Sequence, residues 1–179
     1  MSSDIQLAKE IFLKYGGSHF HMEREGEYKL YKSFNIPKEQ EKLWIKELQK
    51  ELLEKVKRNN DVSHNYNLLC SSIRQYCSLD TLKELVDYVN SRKDVFDTFS
   101  MMLMAEGILG IVEYFERSNL KNHKIIKFAR AASIEILKYL LNRPISIAPT
   151  YLQSGDLAKL SDHKCIQTRI RKELAKWVK

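Results

Sequence analysis

The sequence predicts a predominantly all-α protein, a single domain of about seven helices packed as a multi-helix bundle or a short α-α stack. Apolar residues recur at helical spacing through most of the 179 residues. Six glycines and three prolines are too few for the many turns of an all-β fold. The length, with 44% hydrophobic and 30% charged residues, is typical of one globular domain, to which we assign residues 1–179.

Each predicted helix follows from an apolar stripe with recognisable ends. The SDIQ sequence at residues 3–6 has the form of a capping box, and the two glycines at 16–17 end the first stripe. Pro37 is a first-turn proline for the second helix, which ends near Arg58. Further stripes predict helices over residues 66–77 and 80–90, from residue 94, over 122–142 and from 161; the two-proline stretch at 143–160 predicts a long connection before the last helix.

The fifth helix is apolar almost all round between Met101 and Val112, which predicts a position at the centre of the core. Gly107 and Gly110 each cost about 1 kcal/mol relative to alanine, so we expect them to admit another helix at close range. Glu106 is the only charge in this run. It is either a general acid with a raised pKa, a hydrogen-bonding core residue or a residue on an exposed edge; we favour the last two interpretations.

Residues 18–34 predict a short β-hairpin or an extended arm that reaches residue 36. As a strand, His19, His21 and Glu23 lie on one face while Phe20 and Met22 lie on the other. Two imidazoles and a carboxylate are suitable ligands for zinc or non-haem iron, which makes these three residues a candidate metal site. We favour a solvated strand face, because a half-buried strand shows the same alternation without any ligand, and we predict no metal and no cofactor.

The second half of this arm interleaves aromatic and basic residues, among them Tyr28, Tyr31 and Lys32. Single-stranded nucleic acids are bound by surfaces of this kind, where rings stack on bases and lysines contact phosphates. Packing of the rings as large hydrophobic groups is the alternative, and we favour it while keeping these three residues as binding candidates.

The positive charge lies in the C-terminal third of the chain. Residues 118–179 hold 13 Lys and Arg against four acidic residues, a net charge of +9, whereas residues 1–117 carry −2. Such a surface attracts phosphate backbones or an acidic protein, although a solvated helix face is an equally good interpretation. The candidate binding residues on the last two helices are Lys121, Lys124, Lys127, Arg130, Arg169, Lys172 and Lys176.

The chain contains no phosphate-binding loop, no GxGxxG, GxSxG or HExxH motif, and no Cys-x-x-Cys pair. We therefore predict a non-enzymatic interaction or regulatory protein that binds another macromolecule, most simply a protein, through the basic C-terminal surface. Nonspecific nucleic-acid binding is the first alternative, and a metal-dependent enzyme using His19, His21 and Glu23 is the second. A homo-oligomer is compatible with all three.

The sequence predicts a cytoplasmic location. The first ten residues lack the pattern of a secretory signal, and the most apolar stretch is shorter than the ~20 residues of a membrane-spanning helix. Cys70 and Cys77 lie two helical turns apart, too far for a disulfide, and the total of three cysteines is odd. Reduced thiols are typical of an intracellular protein.

Overall fold

The computed structural model of the chain describes residues 3–59, 64–118, 120, 123–148 and 162–178. These residues form nine α-helices and contain no strand, which confirms the all-α prediction. The helices are α1 (Ser3–Lys14), α2 (His19–Arg24), α3 (Tyr28–Ser33), α4 (Lys38–Asn59), α5 (His64–Tyr76), α6 (Leu79–Ser91), α7 (Thr98–Glu116), α8 (Lys124–Leu141) and α9 (His163–Trp177).

The chain divides into two compact units, Met1–Glu54 and Lys55–Lys179. The first unit contains α1, α2, α3 and most of α4. The second contains the last turn of α4 and all later helices. The assignment of residues 1–179 to one domain stays a prediction.

The predicted hairpin or extended arm at residues 18–34 is wrong, because this stretch forms the two short helices α2 and α3. The side chain of Ser18 caps α2 by accepting a hydrogen bond from the backbone N–H of His21. Gly26, with φ of +80°, then provides the left-handed turn between the two helices. The alternation does not define two strand faces either, since Met22 is fully buried whereas Phe20 is 72% exposed.

Aromatic packing around Phe12 holds the first unit together. Its ring stacks on Tyr31 with centroids 5.6 Å apart and lies 5.7 Å from the ring of Trp44. All three side chains are buried, so α1, α3 and α4 share one apolar centre. Ion pairs between Lys14 and Glu27, and between Lys9 and Glu47, lie at its margin.

The second unit is built around α7, which confirms the predicted central position of the apolar helix. The helix begins at Thr98, later than predicted from sequence, because Asp97 caps it by accepting hydrogen bonds from the N–H groups of Phe99 and Ser100. Among the described helices, α7 alone has the length and hydropathy of a membrane span, but 67% of its apolar window is buried in the protein. Such burial is the pattern of a core helix enclosed by its neighbours.

Helix α5 approaches α7 closely at Gly107, as predicted for that glycine. The hydroxyl of Tyr66 donates a hydrogen bond to the carbonyl oxygen of Met104 at 2.5 Å, which places the ring against Gly107. The prediction for Gly110 is wrong, because a Cβ atom at this position would meet nothing within 4 Å.

Side-chain contacts fix the directions of the helices around α7. Glu116, at the end of α7, pairs with Arg130 in the first half of α8. Thr98, at the start of α7, is hydrogen-bonded to Ser146 beyond the end of α8. The two helices are therefore antiparallel. Helix α9 runs in the direction of α7, because its middle contacts Glu106 and its end lies beside Arg130. Residues 143–148 of the predicted connection at 143–160 are not helical, and residues 149–160 lie outside the described part of the chain.

The three cysteines differ in exposure, which gives a simple chemical prediction. Cys70 is buried, and burial raises the pKa of its thiol to about 12. Cys165 is exposed, and so is Cys77, which follows α5 with φ of +51° instead of lying on its apolar side. Because the thiolate is the reactive form, we expect Cys77 and Cys165 to react with Ellman's reagent at about pH 8 in the native protein, and Cys70 to react only after denaturation. Rapid native labelling of Cys70, located by peptide mass spectrometry, would contradict this.

Candidate macromolecule-binding site

The candidate binding residues lie in two separate units. Tyr28, Tyr31 and Lys32 belong to the first unit, and the basic candidates of α8 and α9 belong to the second. Lys121 lies outside the described residues.

In the first unit, Tyr31 is part of the buried core. Its side chain is 4% exposed, its ring stacks on Phe12, and its hydroxyl donates a hydrogen bond to Glu41 Oε1 at 2.6 Å. Tyr28 is half-buried, with its ring centroid 5.4 Å from that of His19, while Lys32 is exposed. The ring of Tyr31 is therefore not presented to a stacking base.

The three metal candidates do not share a face, because α2 is a helix and residues two apart project about 200° apart. His19 Nε2 instead lies 3.0 Å from Glu41 Oε1, so one carboxylate joins α2, α3 and α4. Within the described part of the chain, no three His, Cys, Asp or Glu side chains are placed to hold a metal ion. The sequence did not point to Glu41, since it belongs to a different helix and lies 22 residues after His19.

Arg130 is engaged inside the second unit. Its guanidinium forms an ion pair with Glu116 and lies 5.5 Å from the ring centroid of Trp177. A cation above an indole ring is a favourable arrangement. Arg130 thus joins α7, α8 and α9, and only part of its charge is offered to solvent.

Arg169 forms a two-pronged ion pair with Glu106. Its Nε and Nη2 atoms donate hydrogen bonds to the two carboxylate oxygens at 2.7 and 2.6 Å. Burial raises the pKa of Glu106 above its usual value, and the hydrogen bonds and charge of Arg169 oppose this shift. The sequence singled out both residues separately, but nothing in it indicates that they form one pair.

Lys124 and Lys127 are exposed on the outer face of α8, beside Phe128. The side chain of Phe128 is 40% exposed, and the ammonium group of Lys83 lies 6.0 Å from its ring centroid. That contact places the outer face of α6 next to these lysines, and this face also carries the exposed acidic residues Asp80, Glu84 and Asp87. Asp87 is itself paired with Lys83.

Helix α9 presents a surface of unbalanced positive charge. Lys164, Arg171, Lys172 and Lys176 lie on its solvent side, and we call these four residues the basic stripe. Lys176 pairs with Glu173 at 2.6 Å, whereas the other three have no carboxylate partner among the described residues. A groove of about 400 Å³ runs beside the stripe, between Lys164 and Lys172. Lys164 and Arg171, which belong to the basic charge of the last helix in the sequence, are thus part of the same exposed surface as Lys172 and Lys176.

A second cleft, of about 320 Å³, lies between the ends of α6 and α8 and is lined in part by Tyr139. Lys93 and Arg143 lie 5.5 and 5.6 Å from the centre of this ring. The Tyr139 hydroxyl donates a hydrogen bond to Asp94, an interaction that raises the tyrosine pKa. Cations are favoured near helix C-termini, so this cluster is explained by the ends of the two helices.

Among the described residues of the second unit, the basic stripe is therefore the candidate site with the most cations that lack a carboxylate partner. No protein-family model matches this chain, and neither a curated protein nor a solved structure is similar to it at a significant level. The assignment of the site depends on the residues of the stripe and their surroundings.

Proposed function

We propose that this chain is a non-enzymatic interaction or regulatory protein of the cytoplasm that binds an acidic protein through the basic stripe of α9. The observation that carries the proposal is the exposure of Lys164, Arg171 and Lys172 without a carboxylate partner among the described residues. A row of cations on one helix face suits an acidic surface, since complementary charge accelerates encounter and selects the partner. The cytoplasmic location is supported by three cysteines that are free thiols.

The surroundings of the stripe favour a protein over a single-stranded nucleic acid. Stacking on exposed rings contributes much of the affinity for single strands. The one aromatic residue of α9, Trp177, is half-buried beneath Arg130. Two titratable residues considered as catalytic or metal-binding candidates also have structural partners. Glu106 pairs with Arg169 and His19 contacts Glu41, which supports a role without catalysis.

The proposal is tested with two matched charge reversals. Arg171→Glu/Lys172→Glu reverses two exposed cations of the stripe, and Lys46→Glu/Lys50→Glu reverses two exposed cations of α4 in the first unit. Proteins captured by the wild-type chain are identified, purified and titrated back by calorimetry. We expect a defined stoichiometry, affinity lowered at least about tenfold by the stripe variant, and little change in the control. Equal binding by both variants would remove the stripe as the site.

Nucleic-acid binding is the second candidate, and the exposed ring of Phe128 beside Lys124 and Lys127 favours it. We expect this mode to give an affinity for labelled single-stranded RNA that falls linearly on a logarithmic salt scale. Phe128→Ala would weaken binding at all salt concentrations, whereas Lys124→Glu/Lys127→Glu would also reduce the salt dependence. Fluorescence anisotropy at low and near-physiological salt measures both effects. No binding at low salt would exclude this candidate.

A further inference from the structure

Helix α9 has the pattern of an amphipathic helix that lies on a membrane surface. Ile166, Ile170, Leu174 and Trp177 project from one side at spacings of four, four and three, and the basic stripe occupies the opposite side. Its 15 residues give a length of about 22 Å. Low overall hydrophobicity combined with a cationic face, an apolar face and a tryptophan is typical of helices that lie in the interface of anionic bilayers.

The attachment of α9 to α7 and α8 is small. Only Ile166 and Ile170 of this helix are fully buried, whereas Leu174 and Trp177 remain partly accessible. By comparison, α7 buries twelve side chains and α8 buries six. The main polar link is the ion pair between Arg169 and Glu106. The core of α7 and α8 therefore does not depend chiefly on α9.

Release of α9 need not separate α7 from α8, because the end of α8 is held independently of α9. Helix α8 ends at Leu141, and Ser146 beyond it is hydrogen-bonded to Thr98 at the start of α7.

The charges of α9 favour a different environment from the one it has on α7. The same apolar side chains are removed from water on the protein and in a bilayer interface. Lys164, Arg171 and Lys172, however, have no carboxylate partner in the described residues, whereas an anionic lipid surface attracts each of them. We propose that α9 exchanges its position on α7 and α8 for the surface of an anionic phospholipid membrane. This membrane binding is distinct from the binding of an acidic protein proposed above, in which α9 stays packed on α7 and α8.

The test compares binding of the full chain to vesicles of phosphatidylcholine with about 30 mol% phosphatidylserine and to vesicles of phosphatidylcholine alone. We expect cosedimentation with the anionic vesicles only, and affinity at least about tenfold lower for Arg171→Glu/Lys172→Glu. Adsorption of the folded protein through its exposed stripe would give the same two results. The next variants separate release of α9 from such adsorption.

Glu106→Gln weakens the ion pair with Arg169 and makes the released helix more populated, so we expect about fivefold tighter binding to the anionic vesicles. Glu84→Gln changes the net charge equally at an exposed position of α6 and serves as the control. Arg169→Lys loses the two-pronged geometry at constant charge and is expected to act in the same direction. Thermal melts confirm that the variants are folded, and Arg169→Lys replaces Glu106→Gln if the latter is not.

Quenching of tryptophan fluorescence shows whether the apolar face of α9 enters the bilayer. The chain has two tryptophans, and Trp44 is buried in the first unit. Lipids with brominated acyl chains should quench Trp177 on anionic vesicles, and Trp177→Phe should remove the quenched component. If neither Glu106→Gln nor Arg169→Lys binds better than Glu84→Gln, or if Trp177 is not quenched, α9 is not released to the membrane. A protein partner that binds α9 in place is insensitive to Glu106→Gln, so the two proposals can fail independently.

Discussion

Gly107→Ala should lower the free energy of unfolding by about 2 kcal/mol, although alanine is normally the better helix former. A Cβ atom at this position would lie 2.7 Å from Tyr66 Cε1 and 2.8 Å from its hydroxyl oxygen. The ring cannot move away freely, because Tyr66 is 1% exposed and its hydroxyl is bound to the carbonyl of Met104. Either α5 must shift away from α7 or a buried hydrogen bond must break. Urea denaturation followed by far-UV circular dichroism measures the loss.

Gly110→Ala is the matched control in the same helix. No atom outside the local backbone lies within 4 Å of a Cβ built there, so this change should raise stability by up to about 1 kcal/mol. The pair of variants separates close packing from helix propensity. A double-mutant cycle completes the test: in a Tyr66→Leu background, Gly107→Ala should cost much less than in the wild type. An equal cost in both backgrounds would mean that the ring of Tyr66 is not the obstacle.

The fold could be predicted largely from the sequence because long helices carry several turns of periodic apolar residues. The stripe of α7 predicted a core helix, and its twelve buried residues confirm this. The prediction for residues 18–34 was wrong because a six-residue helix has fewer than two turns. Over so short a stretch, the pattern of His19 to Glu23 fits a strand as well as a helix. The deciding features were the side-chain cap of Ser18 and the turn at Gly26.

The candidate site could be predicted only in part, because charge is visible in a sequence and pairing is not. The excess of cations in the C-terminal third pointed to α8 and α9. Two of the named arginines are nevertheless engaged by acids of α7, Arg130 by Glu116 and Arg169 by Glu106. The second pair is 63 residues apart in sequence, so no helical spacing rule connects its members. Among the described residues, the cations of α9 without a carboxylate partner are Lys164, Arg171 and Lys172 on its outer side.

Arg169→Met should destabilise the second unit by about 2 kcal/mol at neutral pH, because it leaves a largely buried carboxylate without its charged hydrogen-bond donor. The side chain of Glu106 is 16% exposed, and burial already raises its pKa above 4.5 against the opposing effect of Arg169. Removal of the arginine should raise this pKa further. The folded variant then binds a proton more tightly than the unfolded chain does, so its stability falls as pH rises from about 4.5 through the folded-state pKa.

The expected signature is therefore a loss that is complete at neutral pH and becomes smaller as the pH is lowered towards 4.5. Denaturation of wild type and variant at both ends of this range, followed by far-UV circular dichroism, measures the effect of the single carboxylate. Glu106→Gln/Arg169→Met has no group to titrate at this position, and its difference from the wild type should lack the recovery at acidic pH. Glu106→Leu/Arg169→Leu should be closer to the wild type than Arg169→Met, because removing both members of this partly buried ion pair leaves no uncompensated charge, whereas removing the arginine alone does. If Arg169→Met is equally unstable at both pH values, its cost comes from lost packing and the ion pair contributes little to holding α9 on α7.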